Sequence, residues 1–313
     1  MINKGTTDEL NKSYFLNMLE KCNLCPRKCS VNRLDGELGF CKATADVKIA
    51  KVSLHQWEEP CISGTMGSGT VFFSNCNLKC VFCQNHKISN EGNGKIVSIN
   101  RLSKIFLEHQ KCGAHNINLV TPTHYVPQII EAIIIAKKEG LSIPILYNSN
   151  AYENLDTIKA LKGFIDVYLP DLKYYKDKYG VKYSKAPNYF NVASEVITEM
   201  VSQVGEAKFD DNGLIQKGVI IRHLMLPGLL FDSKKIIDFI YKSFNNSVYI
   251  SLMNQYTPMY NAFKYPEINK PLNSNHYDSL IDYCLNLGII KCFIQESGTS
   301  SKCFVPDFNL RDI

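Results

Sequence analysis

Two periods of apolar and polar positions alternate along this chain. Short, nearly continuous apolar runs recur at "TVFFS" (70–74), "NINLVT" (116–121), "IPILYN" (143–148), "IDVYLP" (165–170), "GVIIRHLML" (218–226) and "VYISLM" (248–253). Runs this short and this rich in β-branched and aromatic residues predict buried strands. Between them lie stretches with helical spacing: "RLSKIFLEHQKCG" (101–113), "PQIIEAIIIAKKEG" (127–140), "ENLDTIKALKG" (153–163), "SKKIIDFIYKSF" (233–244) and "SLIDYCLNLG" (279–288). Gly113 closes the first of these; Pro127 opens and Gly140 closes the second. "IIKCFIQ" (289–295) offers a seventh strand.

Strands alternating with helices imply βαβ units and a parallel sheet. Six such strands predict an α/β fold, a partial TIM-type (β/α)6 barrel. In such barrels the chemistry gathers at the C-terminal ends of the strands. The residues at those ends are polar here: "SNCNLKCVFCQN" (74–85), "TPTH" (121–124), "NSN" (148–150), "DLK" (171–173), Arg222 and His223 on the fifth strand, and "NQY" (254–256). Residues 174–217 break the rhythm. Tyr interleaved with Lys there could stack on nucleic acid, but a helical crossover with lysines reaching past their own stems to water is the simpler expectation. Gly67-Ser68-Gly69 precedes a strand instead of opening a helix, so it reads as a turn and not as a phosphate loop. Residues 1–21 read as a helical lead-in with Tyr14, Phe15, Met18 and Leu19 on one face, and 22–60 as an irregular, cysteine-marked stretch. The expected division is an N-terminal segment, 1–60, and a barrel, 61–313.

Composition adds limits. Of 313 residues 45% are apolar and 21% charged, as in an ordinary globular chain, and the net charge of +5 is too mild to mark a nucleic-acid binder by itself. The N-terminus lacks the apolar core of a secretory signal, and no apolar stretch approaches a membrane span. A cytoplasmic location without membrane association is therefore expected. In a reducing compartment the twelve cysteines are unlikely disulfide partners. Seven of them fall in two groups: Cys22, Cys25, Cys29 and Cys41, then Cys76, Cys80 and Cys83. Clustered cysteines bind metal. The other five, Cys61, Cys112, Cys284, Cys292 and Cys303, are expected to be small buried hydrophobes.

The second group is spaced C-x3-C-x2-C. Thiolates hold iron–sulfur clusters, and a [4Fe-4S] cubane with three protein ligands keeps one iron open, as catalytic zinc sites keep an open position. Phe82 would shield such a cluster. "CNLKCVFC" (76–83), on the loop after the first strand, resembles the signature of the radical SAM superfamily. A structural zinc or redox cysteine site is the competing reading. The likeness extends through "HQWEEPCISGTMGSGTVFFSNCNLKCVFCQN" (55–85), "LVTPTH" (119–124), "DVYLPDLKY" (166–174) and "IIRHLMLPG" (220–228), which together resemble the branch of uncharacterised iron–sulfur homologues of the pyruvate formate-lyase activating enzyme.

That resemblance implies that Cys76, Cys80 and Cys83 ligate a [4Fe-4S] cluster whose fourth iron chelates S-adenosyl-L-methionine (SAM). It implies reductive cleavage of SAM to methionine and a 5′-deoxyadenosyl radical that abstracts hydrogen. It further implies a flavodoxin- or ferredoxin-type electron donor and a protein or peptide substrate, with glycyl-radical activation of a partner as one form. Asp171 and Lys173 match a D-x-K beside SAM, where the Asp could help hold a monovalent cation. Asn148, Asn150 and Arg222 fall at positions that supply polar contacts to SAM or substrate, and Phe82 and Asn85 join them. The family's usual Gly-Gly-Glu, which holds the SAM amino group, is replaced here by Thr121-Pro122-Thr123-His124, so Thr121, Thr123 and His124 become the candidates for that role.

The first group is spaced C-x2-C-x3-C-x11-C and can close a zinc site or bind an auxiliary iron–sulfur cluster. His55, His124 and His223 are candidate acids, bases or ligands, and Tyr256 a candidate contact to SAM or substrate. Two alternatives stay open: a radical SAM enzyme that modifies a peptide or small molecule, and a non-catalytic iron–sulfur or zinc protein.

Overall fold

The computed structural model describes residues 17–295 together with Phe308 and Ile313. Ten strands form: β1 (Val47–His55), β2 (Ser68–Phe73), β3 (Lys95–Val97), β4 (Ile117–Val120), β5 (Ile145–Ser149), β6 (Val167–Pro170), β7 (Lys208–Phe209), β8 (Ile215–Leu224), β9 (Tyr249–Met253) and β10 (Cys292–Ile294). Their order across the sheet is β10-β9-β8-β6-β5-β4-β2-β1-β3, with β7 paired to β8 off this path. From β2 to β10 every neighbouring pair is parallel. All six predicted strands and the seventh at 289–295 are therefore present, in an open, partial barrel.

The parallel strands are apolar because both their faces are covered. All six residues of β2 are buried. The outer layer is built by α1 (Ile99–Lys111), α2 (Val126–Lys138), α3 (Leu155–Ala160), α4 (Asp177–Ser184), α5 (Tyr189–Val204), α6 (Leu230–Phe244) and α7 (Ser274–Asn286). Leu102, Ile105 and Phe106 of α1, with Ile129 and Ile133 of α2, are fully buried in one continuous core. Ser98 caps α1 by accepting from the Arg101 amide, which satisfies one of the donors a helix start leaves open. Gly69 lets β2 approach β4: a Cβ there would lie 2.8 Å from the Asn116 carbonyl oxygen.

Residues 174–217 are a helical crossover, α4 and α5, followed by the β7–β8 hairpin. Tyr174, Tyr183 and Tyr189 are buried while Lys176, Lys178, Lys182 and Lys185 are exposed. These three tyrosines belong to the core; Tyr175 alone among the five of this segment is exposed. Three expectations change. Residues 47–55 are not irregular but form β1, antiparallel to β2; polar residues at alternate positions disguise this half-covered strand. The helix at 153–163 shrinks to α3, six residues. Cys61 and Cys284 are buried, but Cys112 is exposed, because it sits just past the end of α1 where the chain turns at the surface. Leu19 is buried in the helical turn 17–20; Tyr14, Phe15 and Cys303 lie outside the described residues. No helix among the described residues is long and apolar enough to cross a membrane.

Candidate functional site

A cleft of about 440 Å³ opens at the C-terminal ends of the parallel strands. Cys76, Cys80 and Cys83 line it, as do Phe82, Asn85, Thr121, Asn148, Asn150, Asp171, Lys173 and Arg222. Eleven candidates drawn from five separate stretches of sequence are therefore brought to one place by the parallel register.

Each of the three sulfurs meets its own polar partner. The Leu78 amide donates to Cys76 Sγ at 3.3 Å, and Asn150 Nδ2 donates to it at 3.5 Å. Ser184 Oγ lies 3.0 Å from Cys80 Sγ, and Ser89 Oγ 3.2 Å from Cys83 Sγ. Burial, and next the neighbouring Cys80, push the Cys76 thiol up to about 12 and Cys83 to about 11, and burial raises Cys80 as well. Such thiols stay protonated until a metal's positive charge takes the proton's place. Among the described residues no three Cys, His, Asp or Glu side chains close around one metal-ion position. Ligands to three different irons of a cubane need not do so. The donor set, the hydrogen bonds waiting at each sulfur and the adjoining cleft fit a [4Fe-4S] cluster.

Lys173 stands next to this group, with Nζ 2.5 Å from Asp171 Oδ2. Burial works against its charge, but Asp171 and Cys80 outweigh it and hold the ammonium above its usual range. Lys173 in turn pulls the Cys80 thiol downward, against its burial. Beside the cysteines Phe82 packs edge-on to Tyr256, ring centroids 5.7 Å apart. The Tyr256 hydroxyl is spent on the Ile268 carbonyl at 2.7 Å, so only its ring faces the cleft.

Four expected residues sit differently. Arg222 does not await a ligand carboxylate: Nε donates to Glu59 Oε1 at 2.9 Å, and Nη2 is paired with both Glu58 and Glu59. Burial alone would raise Glu59; Arg222 overrides it and keeps the carboxyl below its ordinary value. Thr123 is fully buried outside the cleft, its hydroxyl donating to Glu153 at 3.2 Å. His124 turns away, Nε2 meeting the Ser74 carbonyl at 2.7 Å while its ring lines the pocket of the first cysteine group. The backbone at Thr121 is left-handed, φ 58°, and past it Thr123 and His124 no longer line the cleft. His223 is satisfied on both nitrogens, by the Leu172 carbonyl at 2.7 Å and Ser233 Oγ at 2.8 Å. His55, in contrast, does line the cleft.

Two carboxylates escaped sequence reasoning. Glu58 lines the cleft from the loop after β1 and accepts from Asn118 Nδ2 at 2.8 Å. Glu153 lies beneath, held by Tyr147 and Thr123, and burial raises it to about 7. The hint of Glu58 was the "EE" pair at 58–59, beside a strand that its mixed pattern hid.

An open α/β half-barrel with three thiols, one buried and two half-buried, on the loop after its first parallel strand defines a class of cluster-dependent enzymes. The chain belongs to the radical SAM superfamily: the model of that family matches residues 70–240, over half the chain. An uncharacterised protein of Methanocaldococcus jannaschii is 33% identical over 278 residues, 85% of this chain and 75% of its own. Among solved structures, Streptococcus suis SuiB bound to S-adenosylmethionine superposes with a TM-score of 0.51 at 17% identity, covering 72% of this chain and 48% of SuiB. SuiB bound to its precursor peptide SuiA gives a TM-score of 0.51 at 14% identity, over 72% of this chain and 47% of SuiB. The likeness to SuiB is one of fold, and this chain spans about half of SuiB's length. Membership in the superfamily carries with it enzyme catalysis, a [4Fe-4S] cluster and SAM.

Proposed function

We propose that this protein cleaves SAM reductively at a cluster held by Cys76, Cys80 and Cys83 and abstracts hydrogen from a protein or peptide. The observation that carries the reading is the convergence of three thiols on the wall of a cleft that also holds the Lys173–Asp171 pair. Held by Cys76, Cys80 and Cys83, a [4Fe-4S] cluster would supply the one electron needed for reductive cleavage of SAM at its S–C5′ bond, with methionine as the leaving product.

The chain's own part is binding and orientation. Lys173 offers its ammonium to the SAM carboxylate. Asp171, with the amide oxygen of Asn148 and the hydroxyl of Thr121, takes the SAM ammonium in place of the missing Gly-Gly-Glu. Phe82 and Phe73 exclude water from the wall beside the cysteines. A cleft of about 440 Å³ suits one ligand of drug size. A target C–H bond must therefore arrive on something narrow, a loop or an extended peptide. SuiB, which shares the fold, was crystallised bound to a precursor peptide. Glycyl-radical activation of a partner enzyme is one version of this chemistry, and a flavodoxin- or ferredoxin-type donor in the cytoplasm would supply the electron.

The test is anaerobic reconstitution, dithionite reduction and assay of 5′-deoxyadenosine from SAM. Product is expected from the wild type and none from Cys80→Ala. A fully zinc-loaded protein that makes no product would overturn the proposal.

A further inference from the structure

The first cysteine group forms a second, separate pocket. Cys22, Cys25, Cys29 and Cys41 line a cavity of about 10 Å³, roughly the space of one water-sized sphere. The four thiols do not close around one metal-ion position, so a bound metal has to draw them together. Its surroundings are unusual in what they leave unpaired. His124 is 3% exposed; its Nε2 faces a carbonyl, which only accepts, so Nε2 carries the proton and Nδ1 holds a bare lone pair. That Nδ1 has no hydrogen-bond partner. Arg27 Nη2 and Arg33 Nε, from two more residues of the same lining, are likewise buried without a partner. Three orphaned polar atoms around one small cavity are costly unless something fills it. Four thiolates around a divalent zinc, or around an oxidised cubane, carry a net charge of about −2. Two guanidinium groups with spare N–H donors match that charge.

The pocket is also tied to the cluster loop. Arg27 Nε donates to the Asn77 carbonyl at 3.0 Å, and its guanidinium stacks 3.8 Å above Phe40. Asn77 is the residue after Cys76, and its Oδ1 accepts from Asn150 Nδ2 at 2.8 Å. His124 makes the second tie through the Ser74 carbonyl, two residues before Cys76.

We propose that Cys22, Cys25, Cys29 and Cys41 hold a second metal centre, an anionic tetrathiolate site neutralised by Arg27 and Arg33, which Arg27 and His124 couple to the loop of Cys76, Cys80 and Cys83. The metal is zinc or iron in a cluster, and both share this thiolate chemistry. Arg27 and His124 act as positioning residues.

Metal content of the anaerobically purified full chain tests this. The variant Cys76→Ala/Cys80→Ala/Cys83→Ala should keep about one zinc, or about four iron with visible charge-transfer absorbance; which of the two is kept names the metal. Retention of neither, in protein whose far-ultraviolet circular dichroism matches the wild type, overturns the proposal. Native mass spectrometry of the wild type provides a second route that depends on no variant. It should show the mass of one cluster plus the additional centre, and the mass of one cluster alone overturns the proposal. Arg27→Met should keep both metals yet shift the midpoint potential of the first cluster. An unmoved potential overturns the coupling.

Discussion

The two cysteine groups differ less in their ligands than in the space beside them. Cys76, Cys80 and Cys83 border a cleft of about 440 Å³, whereas the four N-terminal thiols surround about 10 Å³. The first has an acid–base pair, Asp171 and Lys173, within reach of the cleft. The second is ringed by Arg27 and Arg33, whose charges can only neutralise. A thiolate site becomes reactive when a coordination position opens onto room for a ligand, and remains structural or electron-carrying when it closes.

The largest expected effect breaks this contrast most sharply. Cys80→Ala should abolish SAM cleavage, while Cys25→Ala should leave measurable cleavage because the cleft and its three thiols persist. Product assays on both variants check this, and equal loss in the two would erase the distinction. Next comes the floor of the cleft. Arg222→Met strands Glu58 and Glu59, two carboxylates buried with it, and should cost about 3–5 kcal/mol, read by chemical denaturation. An unchanged midpoint would mean that the ion pairs contribute nothing.

A pH effect of similar size comes from Glu153, which lies beneath the cleft. Burial raises Glu153 to about 7, above its unfolded value. The native state therefore binds the proton more tightly, and stability falls as pH rises from about 4.5 through 7. Glu153→Gln should remove this fall and gain about 3 kcal/mol at pH 8, seen in denaturation at several pH values. A parallel pH profile in the variant would contradict it. The smallest effect is on binding. Lys173→Met should raise KM for SAM roughly tenfold, the loss of a charge-assisted hydrogen bond, with the N-terminal metal content unchanged.

The fold was legible because each parallel strand is a short apolar run covered on both faces, such as 70–74 in β2. The antiparallel β1 was not, since its mixed burial leaves no continuous apolar run. That Cys76, Cys80, Cys83, Asp171, Lys173 and Asn148 share one cleft was legible from their places after strands. Thr123 and His124 were misplaced for a reason that spacing cannot carry. Past the left-handed Thr121, both no longer line the cleft. Arg222 was located correctly, but its partners lie 163 and 164 residues away in sequence.

The most direct measurement is the electron paramagnetic resonance spectrum of the dithionite-reduced protein with and without SAM. An iron left open by Cys76, Cys80 and Cys83 requires that SAM change the cluster signal, and that Cys25→Ala keep this response. A reduced cluster whose spectrum SAM leaves untouched would contradict the account.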